Sequence, residues 1–438
     1  MAEWPCRQEK TAAYIKQICS QAFVEAVAHH ASNVEWNFSY PTAFSTQQKS
    51  DFDMICRQAA AEAESKTFQT MEIETYSESE ASAYYFNRLH TSGTSNANFT
   101  RGAICVDIGA GTTDISIISG QPGRIIFHTS IQYAGKYMFK PIYDNFQEFT
   151  DSYEQISKVQ NPEKRQALID ADMRENSEKY IQDLAINNAN GNIPKILQQS
   201  QFAVAGLFYY LGKILRILHD PKVGRSYYKE NTLPRIFVGG NGSRIFHWLT
   251  GGNPIQDNRG KIHPYLKVLE KMLVEASGLE SKLFRINLSS QPKVEVASGM
   301  ISTLPTNANT FFDEDKIEED LAEIFGERFS LNSLFAGAEF SKGEESFSAE
   351  DFITAQDISE GINITSLDEF SNFVRKFNEF KKGLWSNGIS FDEDMAEEII
   401  YQAEGSYVEN KDCAPDEIFV EPVFIAELKN FMEMFRND

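Results

Sequence analysis

The sequence predicts an α/β protein of more than one domain that ends in a mostly helical, acidic extension. Three observations lead there. The runs Ala103 to Ile108, Thr113 to Ser119 and Ile125 to Gln132 are rich in β-branched residues and are separated by Gly-Ala-Gly and Ser-Gly-Gln-Pro-Gly turns, the pattern of an antiparallel meander. On either side of them apolar residues recur at three- and four-residue spacing, which predicts helices packed against a sheet. Charge is divided unevenly: residues 1–300 carry 31 basic and 31 acidic side chains and 301–438 carry 10 and 32, so the whole net charge of −22 belongs to the last third. A composition break of that kind marks a boundary near residue 301.

Taken in order, Tyr14, Ile18, Ala22, Phe23, Ala26 and Val27 share one face of a helix from Thr11 to about His30. Val34 to Tyr40 alternates toward Pro41, which ends it as a strand; Thr46 to Ala63 is helical, with Phe52, Ile55 and Cys56 inward; Phe68 to Thr75 reads as another short strand. Ser77 stands three residues before Glu80, a capping-box spacing that starts a helix running to about Leu89. The polar stretch Thr91 to Thr100 is a connection. After the meander, residues 136–220 read as mostly helical and finish in the apolar Phe202 to Leu218, with Lys213 and Arg216 on its wetter side. Arg235 to Val238 is a strand running into Gly239-Gly240, and a helix begins near Ser243. Ile286 and Leu288 form a last strand ahead of a small-residue helix over Val294 to Met300. Beyond 301 the helical candidates are Lys316 to Phe325, Leu367 to Leu384, Asp394 to Gln402 and Pro422 to Phe435.

With 42% apolar and 12% aromatic residues the chain is globular, neither fibrous nor disordered throughout. Its longest apolar run, Phe202 to Leu211, is about half of a membrane span, and no basic cluster precedes an apolar stretch at the start. A cytoplasmic protein with no membrane partner is expected. Acidic surface repels phosphate backbones, so nucleic acid is an unsuitable partner. Five scattered cysteines point to reduced thiols, and seven histidines make no metal pattern, His29 and His30 being adjacent.

The segment that carries chemistry is Asp107-Ile-Gly-Ala-Gly-Thr-Thr-Asp114, enclosed by apolar strands. A turn there brings Gly109, Ala110, Gly111, Thr112 and Thr113 to a tip where bare backbone N–H groups can approach an anion closely. Asp107, ending the first strand, is placed to hold Mg²⁺ through water beside phosphates, with Asp114 a further candidate. On its own, such a segment is also compatible with an ordinary glycine-rich hairpin.

At these residues the sequence resembles the superfamily of actin, sugar kinases and the seventy-kilodalton heat-shock chaperones, whose second phosphate motif is an Asp-x-Gly-x-Gly-Thr hairpin. The Thr-Thr-Asp ending is closer to the chaperones and the bacterial actin-like proteins. Arg235-Ile-Phe-Val-Gly-Gly-Asn-Gly-Ser-Arg244 is similar to the adenosine motif, and Glu78-Ser-Glu-Ala-Ser-Ala-Tyr to the first connecting helix, with serine in place of the family's proline. Tyr40-Pro41-Thr-Ala-Phe44 with Gln48-Lys49 resembles a strand end and the helix after it; Val294-Glu-Val-Ala-Ser-Gly299 resembles the second connecting helix, whose small residues allow a close crossing. The resemblance implies a ribonuclease H-like actin/heat-shock-chaperone ATPase fold that binds ATP or ADP with Mg²⁺. It implies catalytic roles for Glu78, Asp107 and Thr112, with Glu78 orienting or deprotonating the attacking water. It also implies adenosine contacts from Gly239, Gly240, Asn241, Ser243 and Arg244. At the first turn of a helix, Glu78 is expected to stay ionised.

The family's first phosphate hairpin is absent between Met1 and Val34 and does not recur later. Residues 1–100 therefore read as the remainder of a first lobe, 101–301 as a complete second lobe, and 302–438 as a separable acidic module outside the resemblance. The implied function is the C-terminal part of a longer nucleotide-dependent switch with a protein partner, an ATPase when the first lobe is supplied and inactive alone, since phosphoryl transfer needs positioning from both sides. A non-catalytic scaffold or filament protein is the alternative, and a sugar-kinase-like phosphotransferase the third.

Overall fold

Helix α1 (Trp4–Ala28) lies along α2 (Thr46–Ala63) beside a two-stranded parallel sheet of β1 (Val34–Tyr40) and β2 (Thr70–Ser77). Cys19, Trp36, Ala59 and Ala60 form the small core between them. The structure, a computed structural model, describes residues 4–301, 367–408 and 422–435, apart from 64–69, 92–101, 120–124, 188–191, 220–227 and a few isolated positions. Strand β2 runs two residues later than its pattern predicts and passes directly into α3 (Glu78–Thr91). The expected capping box makes that junction: Glu80 N–H donates to Ser77 Oγ and Ser77 N–H to Glu80 Oε2, each at 3.2 Å.

Strands β3 (Ala103–Ile108), β4 (Thr113–Ile118) and β5 (Ile125–Ile131) form the predicted antiparallel meander. The chain then turns helical through α4 (Gly135–Met138), α5 (Lys140–Asp144), α6 (Tyr153–Ser157), α7 (Pro162–Asn187) and α8 (Ile193–His219). It returns as β6 (Arg235–Gly239) and, past α9 (Ile245–Leu249) and α10 (Pro264–Ser277), as β7 (Ile286–Leu288). Helical crossovers let both returning strands run parallel to β3, giving one five-stranded mixed sheet in the order β5-β4-β3-β6-β7. A 3₁₀ turn over Asn241–Arg244 precedes α9, close to the helix start expected at Ser243. Helix α11 (Glu295–Met300) then crosses α3 so closely that a Cβ on Gly299 would stand 1.7 Å from the Ala81 carbonyl oxygen.

The last helices are α12 (Asp368–Phe380), α13 (Glu393–Val408) and α14 (Val423–Met434). The candidate Lys316 to Phe325 lies outside the described residues. Sequence composition sets this region apart as a separable module, but the described helices share one hydrophobic cluster with α8 and α10. Phe373, Phe377 and Phe431 surround Phe202 of α8 with ring centres 4.7, 5.1 and 5.2 Å from it. The reason lies in α8, which is buried without a break from Phe202 to Gly212 and is too apolar for one partner surface to cover. Its supposedly wetter side is covered too: Lys213 Nζ pairs with Glu369 of α12 at 2.6 Å.

Candidate functional site

Strand register builds the site. Asp107 pairs with Asp114 across the hairpin and with Gly239 on the parallel side, while Asp114 pairs with Ser130, so Ser130, Asp114, Asp107 and Gly239 form one row across four strands. Laterally paired residues share a face of the sheet, which sets two carboxylates side by side. The hairpin closes with Gly109 N–H donating to Thr112 O at 2.9 Å. The start of α4 holds it from outside, Gly135 N–H donating to Gly109 O at 3.1 Å and Lys136 N–H to Ala110 O at 2.8 Å. Ala110 and Gly111 are exposed, and the N–H groups of Ala110, Gly111 and Thr112 have no partner among the described residues. Bare N–H groups grouped in this way are the donors that an anion-binding turn uses.

The turn after β6 fits against the hairpin. Gly240 has φ 71°, and a Cβ there would lie 2.2 Å from Asp107 Oδ1 and 2.3 Å from the Ile108 carbonyl oxygen, so only glycine serves. Ser243 is buried and its hydroxyl donates to Gly240 O at 2.7 Å, which makes it a builder of the turn. Asn241 is half-buried, and Arg244 is exposed at the end of the 3₁₀ turn; burial and the Arg244 charge together lower the pKa of His247.

A further carboxylate, Glu295, enters from α11. It is fully buried, its Oε1 accepts from Gly240 N–H at 3.4 Å, and its Oε2 has no hydrogen-bond partner. Asp107 is pushed up to about 7 by burial and by the charges of Glu295 and Glu78. Asp114 is likewise pushed up to about 7 by burial and by Glu78 and Asp107, against the lowering effect of Thr42 and Ser130; its Oδ1 has no partner. Burial also raises Glu78, opposite to the effect expected of its helix start, because Glu78 is half-buried at the α3 junction. The structure thus brings Glu78, Asp107, Asp114, the Gly109 to Thr112 tip and the Gly239-Gly240 turn to one end of the sheet. Thr113 is different: it is fully buried and its hydroxyl donates to Tyr133 O at 2.6 Å, so its side chain belongs to the core.

Glu295 is the residue that sequence reasoning left without a role. Its signal is faint, an acidic residue heading the small-residue run Val-Ala-Ser-Gly. Among the described residues no group of three or more His, Cys, Asp or Glu could hold a metal ion directly, and no helix is long and apolar enough to cross a membrane.

The fold and site define a mixed α/β protein whose sheet ends in a group of carboxylates beside glycine turns. No protein-family model matches the chain. No curated protein matches it either. Among solved structures, the ethanolamine utilization protein EutJ from Carboxydothermus hydrogenoformans is similar over 66% of this chain and 73% of its own, at 15% identity and a TM-score of 0.30. The PilM-PilN type IV pilus biogenesis complex is similar over 58% of this chain and 56% of its own, at 12% identity and a TM-score of 0.29. Likenesses at that level leave the function to be judged from the site.

Proposed function

We propose that the chain binds an adenine nucleotide with Mg²⁺ at this end of the sheet, as a nucleotide-dependent switch of the actin-like and chaperone-like kind acting on a protein partner. One juxtaposition carries the reading: bare N–H donors at the hairpin tip close the two strands that set Asp107 and Asp114 side by side, with Asp114 Oδ1 unmatched, which suits a polyanion that arrives with a cation. Asp107 and Asp114 would hold the hydrated cation, Gly109 to Thr112 the phosphates, and the Gly239-Gly240 turn with Asn241 and Arg244 the nucleoside. Bound Mg²⁺ would supply charge neutralisation between phosphate and carboxylate oxygens. The close crossing of α3 and α11 supports the same reading, since the family's connecting helices cross in that manner. A non-catalytic scaffold is the second reading, favoured by Glu295, whose buried carboxylate already occupies the Gly240 N–H and opposes an incoming anion.

Calorimetric titration with ADP and ATP, with and without Mg²⁺, tests the proposal. Wild type should bind in a Mg²⁺-dependent way, and Asp107→Ala should lose that dependence. Gly111→Val should weaken binding without harming the fold, because the space beside Gly111 is open for 4 Å. Glu295→Gln should tighten binding by about tenfold, roughly 1.4 kcal/mol. Indistinguishable titrations of all four proteins would overturn the proposal.

A further inference from the structure

A cavity of about 520 Å³ opens beside the segment that enters β7, whereas the acidic site lies at the other end of that strand, where Leu288 pairs with Val238 next to Gly239. Its apolar floor consists of Ile262, Val268 and Phe284, all buried, with Phe380 and Leu384 half-buried at the side. Five exposed lysines stand around it: Lys261, Lys267, Lys271, Lys282 and Lys382. Among the described residues one carboxylate, Glu270, lines the same space, and it is engaged by Lys267 and by the Ser281 hydroxyl. Lys282 has Glu280 at 3.4 Å. Lys261, Lys271 and Lys382 have no carboxylate partner among the described residues, and Lys271 lies over the Phe380 ring at 5.5 Å from its centre.

These cations, all but Lys382 from the charge-balanced part of a chain whose net charge is −22, gather at one cavity and make it a local positive patch. Low-dielectric walls carrying a net positive charge focus the field into the cavity. The first turns of α10, through Pro264 and Lys267, face the same space and add the positive end of a helix. The volume is that of a small-molecule pocket. Lysine is a compact point charge suited to phosphate oxygens, and the aromatic and aliphatic floor suits an organic body. From these observations we propose that the cavity binds a small phosphorylated organic molecule, with its phosphate held by Lys261, Lys271 and Lys382 and its apolar or aromatic part against Ile262, Phe284 and Phe380. This site is independent of the nucleotide site.

Pyridoxal 5′-phosphate serves as the probe on the full chain, since its aldehyde condenses with a lysine amine with loss of water and borohydride then reduces the C=N bond, marking the lysine for peptide mapping. Saturable labelling is expected at Lys261, Lys271 or Lys382, at least tenfold weaker with pyridoxal, which lacks the phosphate, and unchanged in Asp107→Ala. The double variant Lys261→Glu/Lys382→Glu should lose at least tenfold in apparent affinity while keeping its circular dichroism spectrum. If charge reversal prevents folding, Lys261→Gln/Lys382→Gln is read in the same way. Labelling spread over exposed lysines without saturation, equal labelling by pyridoxal, or labelling intact in the double variant would each overturn the proposal.

Discussion

Two aspartates placed directly opposite one another on neighbouring strands repel, and a fold keeps such a pair only where something else compensates. Asp107 and Asp114 are so placed, and Glu78 and Glu295 add charge of the same sign. With both aspartates pushed up to about 7, above their ordinary value near 4, the folded chain retains protons that the unfolded chain releases. The contribution of these two groups to stability is therefore greatest below the ordinary carboxylate value and falls as pH rises from about 4 through about 7. Asp107→Asn removes one charge without changing the shape. It should be more stable than wild type at pH 8, on the order of 1–3 kcal/mol, the usual cost of an unmatched buried polar group, and nearly equal to it at pH 4. Denaturant unfolding at pH 4, 6 and 8 reads this directly. A variant whose advantage does not grow with pH would show that the carboxylates are compensated within the apo chain.

Among elements, the decisive contact is the crossing of α3 and α11, where a backbone oxygen of one helix fills the space a side chain would take on the other. Gly299→Ala should therefore destabilise by about 1–3 kcal/mol or more, because a carbonyl cannot swing aside as a side-chain end can. Gly111→Ala, with open space beside it, should change stability by no more than about 0.5 kcal/mol. A thermal scan in which Gly299→Ala melts with wild type would mean that the helices sit farther apart. The glycine was legible as part of a small-residue run, as were the hairpin and the Ser77–Glu80 capping box, since each rests on local spacing. Helix α10 was not foreseen, although Pro264 at its start and Gly278 in a left-handed conformation at its end mark it plainly. Glu295 escaped because its role depends on Gly240, which sits 55 residues away in sequence. Thr113 and Ser243 carried the right chemistry for a site, but their hydroxyls are committed to Tyr133 and Gly240.

At the scale of the whole molecule, charge and packing give opposite indications for the C-terminal helices. The segment is acidic, yet Phe370, Phe373 and Phe377 recur three and four residues apart on α12 and are buried; their spacing shows a buried face but not its partner. That partner is α8. A Cβ at Gly206 would lie 2.3 Å from Leu428 Cδ2, so α14 seats a leucine against the bare backbone of α8. Polar contacts fix the register: the Tyr209 hydroxyl donates to Glu369, Asn372 Nδ2 donates to Tyr209 Oη at 3.1 Å, Lys376 pairs with Glu275 at 2.9 Å, and Trp385 Nε1 donates to Gln201 Oε1 at 2.8 Å. Each buried phenylalanine or leucine contributes about 1.5–3 kcal/mol, so the group together rivals the roughly 5–15 kcal/mol net stability of a typical domain. A site-specific protease sequence inserted between residues 305 and 306 tests this coupling. After cleavage the two fragments should co-elute on gel filtration and melt in one transition, and residues 1–301 produced alone should melt at least several degrees lower or aggregate through the uncovered Phe202 face. Fragments that separate freely, with the melting of the N-terminal piece unchanged, would show that α12 and α14 belong to an independent unit after all.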